Sequence, residues 1–245
     1  MKYVVVTLTP LVFLALRACG TPAAELPNPL LELTFGRSEA NSGTLGGRAT
    51  FEEYVPGEGP VYGPGRTGMG VRQIPNSWPG PDNKTPAGGA VVYRSPALNE
   101  LPRVTLTLWF RPEKPHRLAR LLYYSNQWDL YLSGTRIGFN VRHNGRDQHH
   151  VTPADHPVVR DGCWNFVAVT HDRAAGRVVL FHATENSPLR RVAEWTEIPV
   201  PDRGTGPLQI GNLGTIRPFR GGLDSVRVYG NILTEEQLEI GRAHV

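Results

Sequence analysis

The segment PFRGGLDSVRVYGNILTEEQLE, Pro218 to Glu239, decides how the rest of the chain is read. Asp224, Val226 and Val228 stand two apart after Gly222, the period of a β-strand, so an acidic side chain shares a face with apolar ones. Gly230-Asn231 ends that strand. Thr234-Glu235-Glu236-Gln237 then spells a capping box, in which the Thr hydroxyl and the Gln amide satisfy free backbone N–H groups of a short helix. Leu233, Leu238 and Ile240 are spaced to pin that helix to the body of the fold. A carboxylate facing a core needs a counter-ion, a metal or several donors, because burying it unpaired costs several kcal/mol. Asp224 is therefore the acid that the fold must explain.

The chain has 245 residues, and its start reads as a targeting segment. Met1-Lys2 supplies positive charge and Tyr3 to Leu16 is mostly apolar, too short and too interrupted for a membrane span. Residues 1–24 are thus expected to be a signal peptide and 25–245 the mature domain, exported from the cell. Leu16-Arg17-Ala18-Cys19 also fits a lipoprotein box, although Arg17 stands where a small or apolar residue is usual. With Cys19 removed or lipidated, Cys163 has no partner, and the domain must fold on its hydrophobic core alone. The formal charge is +4 including Lys2 and Arg17, and there is no basic run with interleaved aromatics, so nucleic acid is excluded as a partner. The 27 Gly and 22 Pro go with short strands and tight turns rather than with helices.

Strand patterns recur along the chain. Val104 to Phe110 alternates cleanly, and Leu118 to Tyr124, Trp128 to Leu132 and Ile137 to His143 follow. Asn144-Gly145 is a hairpin turn, since both residues tolerate positive φ. Trp164 to His171 and Arg177 to His182 form a further pair. Residues 55–89, dense in Pro and Gly, read as a long surface excursion with one short strand. Apart from the capped segment near the end, no stretch sustains a 3.6-residue repeat. The pattern is that of a β-sandwich.

Four pieces, in order, resemble the laminin-G-like, concanavalin A-like jelly rolls of secreted bacterial proteins: VTLTLWFRPE (Val104 to Glu113), DGCWNFVAVTHD (Asp161 to Asp172), PLQIGN (Pro207 to Asn212) and the opening segment itself. The resemblance implies an all-β, antiparallel two-sheet jelly-roll β-sandwich with one short C-terminal helix. It also implies a structural Ca²⁺ where first and last strands meet, held by Asp224, Asn41 and Ser38, since a hard cation takes carboxylate, amide and carbonyl oxygens. Glu39 stands in for the acid usual in that first loop. The other reading of Asp224 is an ion pair with Arg220 or Arg37, or hydrogen bonds from loop N–H groups.

Catalytic patterns are missing. E-x-D-x-E, G-x-S-x-G and H-E-x-x-H do not occur, and the adjacent Glu52-Glu53 face opposite ways on a strand. A lyase on this scaffold would use a base, a guanidinium and an amide, for which Tyr123, Tyr124, Arg142, His143 and Asn140 are the candidates. His149 and His150 would point to opposite sides of a strand, so the cluster with His143 and His156 is not a metal set. Gly63, Gly65 and Gly68 match G-x-G-x-x-G without a βαβ context and read as a turn-rich loop. Asn83-Lys84-Thr85 is a glycosylation sequon. Trp109 and Trp164 fit packing positions, whereas Trp78, Trp128 and Trp195 are free to stack on a sugar ring. The expectation is a non-catalytic, exported or surface-tethered module that binds glycans or a cell-surface partner. A glycan-cleaving enzyme on the same scaffold and a purely structural accessory domain are the rivals.

Overall fold

Alternating side chains become strands wherever one face of a segment can be buried, and this chain does so fifteen times among the described residues. The computed structural model describes residues 24–35, 40–53, 61–73, 89–113, 116–212, 217 and 219–243. In chain order the first strands are β1 (Leu31–Leu33), β2 (Thr50–Glu53), β3 (Val61–Pro64), β4 (Met69–Gln73) and β5 (Gly89–Tyr93). A short 3₁₀ turn leads to β6 (Arg103–Pro112), β7 (His116–Tyr124), β8 (Trp128–Gly134), β9 (Arg136–His143) and β10 (Arg146–Val151). Then come β11 (Asn165–Asp172), β12 (Arg177–Thr184), β13 (Arg190–Trp195), β14 (Leu208–Ile210), β15 (Gly221–Tyr229) and helix α1 (Glu235–Ala243).

All pairings are antiparallel and fall into two sheets. One has eight strands in the order β13-β12-β11-β6-β15-β4-β3, with β1 also on β15; the other has seven, β10-β9-β8-β7-β14-β5-β2. Leu106, Leu108, Phe110, Val167, Val169 and Val226 of the first sheet meet Leu122, Leu130, Phe139, Val141 and Ile210 of the second in one buried core. This is the expected all-β sandwich with one short C-terminal helix. The excursion at 55–89 holds two strands rather than one, because β3 and β4 pair with each other and dock on β15 through Leu223↔Val71.

A second apolar layer covers the far face of the eight-stranded sheet. Trp109, Trp164, Phe166 and Phe181 pack there with Leu233 and Leu238 of the C-terminal segment. The capping box forms as read: Thr234 N–H donates to Gln237 Oε1 at 3.0 Å and Gln237 N–H to Thr234 Oγ1 at 3.2 Å. Arg227 ties strand to helix, with Nε donating to Glu32 Oε1 at 2.7 Å and Nη1 to the Gly241 carbonyl at 2.9 Å.

The last strand departs from the simple alternation. Asp224 pairs with Trp109 but Arg227 with Thr107, so one extra residue is inserted, and Ser225 adopts φ +50°. Leu223, Val226 and Val228 all face the core, whereas Asp224 lies with Trp109 on the opposite face. The period-two reading that put Asp224 beside Val226 and Val228 is thereby corrected: a β-bulge at Ser225 shifts the parity.

Candidate functional site

Asp224 is buried at 1 % exposure beneath the β3–β4 hairpin. Its Oδ2 accepts N–H bonds from Arg66 (2.7 Å) and Thr67 (3.3 Å), and its Oδ1 accepts the Ser225 hydroxyl at 3.2 Å. A Cβ on Gly65 would collide with this carboxylate, which is why the turn can close over it. Burial raises its pKa, and the N–H donors oppose that shift. Asn41 has a different circle. Its Oδ1 accepts from Glu32 N–H (2.8 Å) and Gly43 N–H (2.7 Å), and its amide donates to the Gly46 carbonyl (2.9 Å) and Tyr93 Oη (3.1 Å). Ser38, like Glu39 and Arg37, lies outside the described residues. Asp224 and Asn41 thus offer their oxygens to separate sets of donors, so as placed they do not fit a shared cation shell. A calcium ion at Asp224 would have to displace the Arg66 and Thr67 N–H groups.

A richer constellation stands on the outer face of the seven-stranded sheet. Trp128, Leu130 and Leu132 of β8 and Ile137, Phe139 and Val141 of β9 turn inward. By alternation Asp129, Tyr131, Asn140 and Arg142 turn outward. Arg120 joins them through two register shifts in β7. Ala119 pairs with Leu132, Arg120 with Tyr131, and then Leu122 with Leu130 and Tyr123 with Asp129. Arg120 and Tyr123, three apart, therefore share the outer face.

The centre is the ion pair Arg120 Nη2–Asp129 Oδ2, 3.0 Å long, with side chains 1 % and 3 % exposed. The guanidinium lies 4.6 Å from the Tyr131 ring centroid and also donates to the Leu118 carbonyl at 3.0 Å. Tyr131 lies across Gly138, where any Cβ would run into the ring, and its hydroxyl is 3.2 Å from His149 Nδ1. Burial raises the Asp129 carboxyl to about 6 with Asp147 adding to the rise, while Arg120, Asn140 and Arg217 hold it down. Burial likewise pushes Tyr131 up to about 12, and pulls His149 down. These shifts keep both the tyrosine and the imidazole uncharged at pH 7.

Three polar atoms here have no hydrogen-bond partner among the described residues: Arg120 Nε, Asp129 Oδ1 and Asn140 Oδ1. The neighbouring Asn140 amide favours the Asp129 carboxylate yet leaves Oδ1 without a bond. A cavity of about 160 Å³ is lined by Arg120, Asp129, Asn140, Tyr123, Arg142 and Arg217, among others. The Arg142–Asp147 pair, 3.1 Å long and 38 % and 42 % exposed, lines the same cavity.

Of the residues weighed for a lyase, Tyr123, Asn140 and Arg142 converge on this cavity. Tyr124 lines it too, although its hydroxyl bonds the Asn99 side chain. His143 is engaged elsewhere, 2.7 Å from the Val200 carbonyl. His149 and His150 point apart as expected, His150 toward the Trp195 ring, and no group of three His, Cys, Asp or Glu among the described residues is arranged to hold a metal. Trp128 is not free: it is 7 % exposed and packs on Tyr124 and Phe139. Trp109 and Trp164 are packing residues. Trp78 and the sequon at Asn83 lie outside the described residues.

Residues 86–239 match the family model Laminin_G_3, described as the concanavalin A-like lectin/glucanases superfamily. The chain belongs to that family. Among solved structures it is similar to domain 4 of AbnA, a GH43 extracellular arabinanase from Geobacillus stearothermophilus, in complex with arabinotriose. That likeness has a TM-score of 0.66 at 14 % identity, covering 89 % of this chain and 99 % of the other. The CBM40 of the Ruminococcus gnavus IT-sialidase is similar at TM-score 0.51 and 17 % identity, over 64 % of this chain and 95 % of the other. The receptor-binding domain of botulinum neurotoxin type G aligns at TM-score 0.58 and 12 % identity, over 89 % and 52 %. At these identities the likeness is one of fold. No curated protein matches. No helix among the described residues is long and apolar enough to cross a membrane.

Proposed function

We propose that the chain is an exported, non-catalytic glycan-binding module whose sugar docks on the outer face of the seven-stranded sheet, over the Arg120–Asp129 pair. The observation that carries this is a pair of buried acceptors without a partner among the described residues, Asp129 Oδ1 and Asn140 Oδ1, in the wall of one cavity. Buried polar atoms are nearly always paired, and a sugar presents the hydroxyl donors that would pair these two. Arg142, Arg217 and Tyr123 add donors and a ring edge around the same opening. The superfamily membership and the sugar-complexed arabinanase domain, similar in fold, support the reading without naming a ligand.

The test is binding of the intact chain to a panel of neutral and acidic oligosaccharides, by calorimetry, with Asn140→Ala and Tyr123→Ala beside the wild type. Saturable binding that both substitutions weaken supports the proposal. Binding that neither changes overturns this placement of the site. The enzyme reading is favoured by the convergence of Tyr123, Asn140 and Arg142. Release of reducing ends or of unsaturated uronates by the wild type, abolished in Tyr123→Phe, would establish it in place of simple binding.

A further inference from the structure

A second opening lies at the rim of the sandwich, between the segment that follows β10 and the turn joining β12 to β13. It is a groove of about 740 Å³, lined by residues from Pro153 to Arg160 on one side and from His182 to Val192 on the other. Its charge is one-sided. Arg160, Arg190 and Arg191 all line it, against Asp155. Asp155 Oδ1 lies 3.0 Å from His156 Nδ1 with both side chains exposed, and Arg191 is partly neutralised by Glu194 at 2.7 Å. Arg160 and Arg190 make no ion pair among the described residues.

The two free guanidinium groups hang from fixed backbone. Arg160 is clamped by the fully buried Asn165, whose Oδ1 accepts the Arg160 N–H at 2.9 Å and whose amide donates to the Arg160 carbonyl at 2.8 Å. The same Oδ1 is 3.1 Å from His182 Nε2, so the imidazole is the donor there. Arg190 pairs across the strands with His182. Burial, and then Arg160, pull the His182 pKa down to about 4, so the positive charge of the groove rests on the arginines. Thr184 and Ser187, linked hydroxyl to hydroxyl at 2.9 Å, supply neutral polar groups on the same wall.

We infer that this rim groove is a second binding site, independent of the sheet face, for the sulfate or carboxylate groups of an acidic polysaccharide. Planar guanidinium groups bind such oxyanions through paired hydrogen bonds, and unpaired arginines on rigid backbone lose little freedom on doing so. An open groove suits a chain that passes through it. No Phe, Tyr or Trp among the described residues lines it, so it lacks the stacking surface that single-stranded nucleic acid uses.

The experiment measures binding of a sulfated hexasaccharide, its unsulfated counterpart and a single-stranded oligonucleotide of matched charge to the full chain, at two salt concentrations. The sulfated sugar should bind with salt-dependent affinity, and both other probes at least about tenfold more weakly. The double substitution Arg160→Gln and Arg190→Gln should lose that binding without moving the melting curve, whereas the double lysine variant should keep part of it. Unchanged affinity in the glutamine variant overturns the site. Equal loss in the lysine and glutamine variants overturns the role given to charge, and equal binding of the oligonucleotide overturns the choice of ligand.

Discussion

Asp129 and Asp224 are two carboxylates on the outer faces of opposite sheets, 2 % and 1 % exposed, and they are satisfied in opposite ways. Asp224 is closed off: two loop N–H groups and a hydroxyl surround it, and the turn carrying those donors is sealed by a glycine. Asp129 is met by one guanidinium and favoured by the Asn140 amide, and it keeps an oxygen without a partner among the described residues, in the wall of a cavity. Burial raises the pKa of both. What separates them is the donor. Backbone N–H groups neutralise without needing anything further, while a single buried ion pair leaves lone pairs over, and those can serve a ligand.

The largest effect should come from breaking the Arg120–Asp129 pair. Asp129→Ala strands a guanidinium that is 1 % exposed, which costs about 3–5 kcal/mol in urea titrations for a buried pair. Replacing both partners together, as Arg120→Met with Asp129→Leu, should recover most of that loss. If the double variant is no more stable than the single, the pair is not what makes Asp129 costly to remove.

Asp224→Ala should cost about 2–3 kcal/mol, because the Arg66 and Thr67 N–H groups lose their acceptor. The effect should be local, with hydrogen exchange accelerating over residues 61–73 before the rest of the sheet. The same residue answers the calcium expectation. With N–H donors in place, EDTA and added calcium should leave the wild-type melting curve where it is, and a calcium-dependent rise would mean that the ion displaces the loop.

Acid separates the two carboxylates from the buried histidines. Asp129 has a folded pKa of about 6 against an ordinary value of 3.8, so the native state holds that proton more tightly than the unfolded chain does. Its contribution to stability is therefore present below about pH 4 and lost as pH rises through 6, a swing of roughly 3 kcal/mol. Asp224 acts in the same direction. His171 runs the other way. It is fully buried against the Phe139 ring with neither ring nitrogen bonded among the described residues, and burial pulls it down to about 4. Its contribution is present above pH 6.5 and lost as pH falls toward 4. Between pH 7 and pH 4, Asp129→Asn should lose stability relative to wild type and His171→Phe should gain it. Parallel profiles for all three proteins would contradict both assignments.

The two carboxylates also mark how far sequence carries. Asp129 and Asn140 lie in segments, WDLYLS and IGFNVR, whose strict alternation already fixes which side chains face out. Arg120 does not: the outer face receives Arg120 and Tyr123 only because β7 bulges, and nothing in HRLARLLYY marks where the extra residues fall. The bulge at Ser225 hid the true face of Asp224 in the same way. Its donors come from Arg66 and Thr67, about 160 residues earlier, inside a stretch without periodicity. The turn residues GPGRTG suggested a loop, but not its partner. Alternation is local and so legible; a bulge or a long-range cap is decided by what the rest of the sandwich puts opposite.

The smallest change to stability should accompany the most informative change in binding. Asn140→Ala removes an amide whose oxygen has no partner, so it breaks no bond to Oδ1, and the fold should lose no more than about 1 kcal/mol. If the cavity is where a sugar docks, affinity should nonetheless fall by roughly tenfold, the measure of one lost hydrogen bond in a desolvated site. Asp224→Asn, tested beside it, should do the reverse, costing stability while leaving affinity unmoved, because its oxygens are spent on the loop. If the two variants weaken binding alike, the difference between an open and a closed carboxylate is not what places the site. A loss confined to Asn140→Ala ties recognition to the acceptors that the fold leaves unsatisfied.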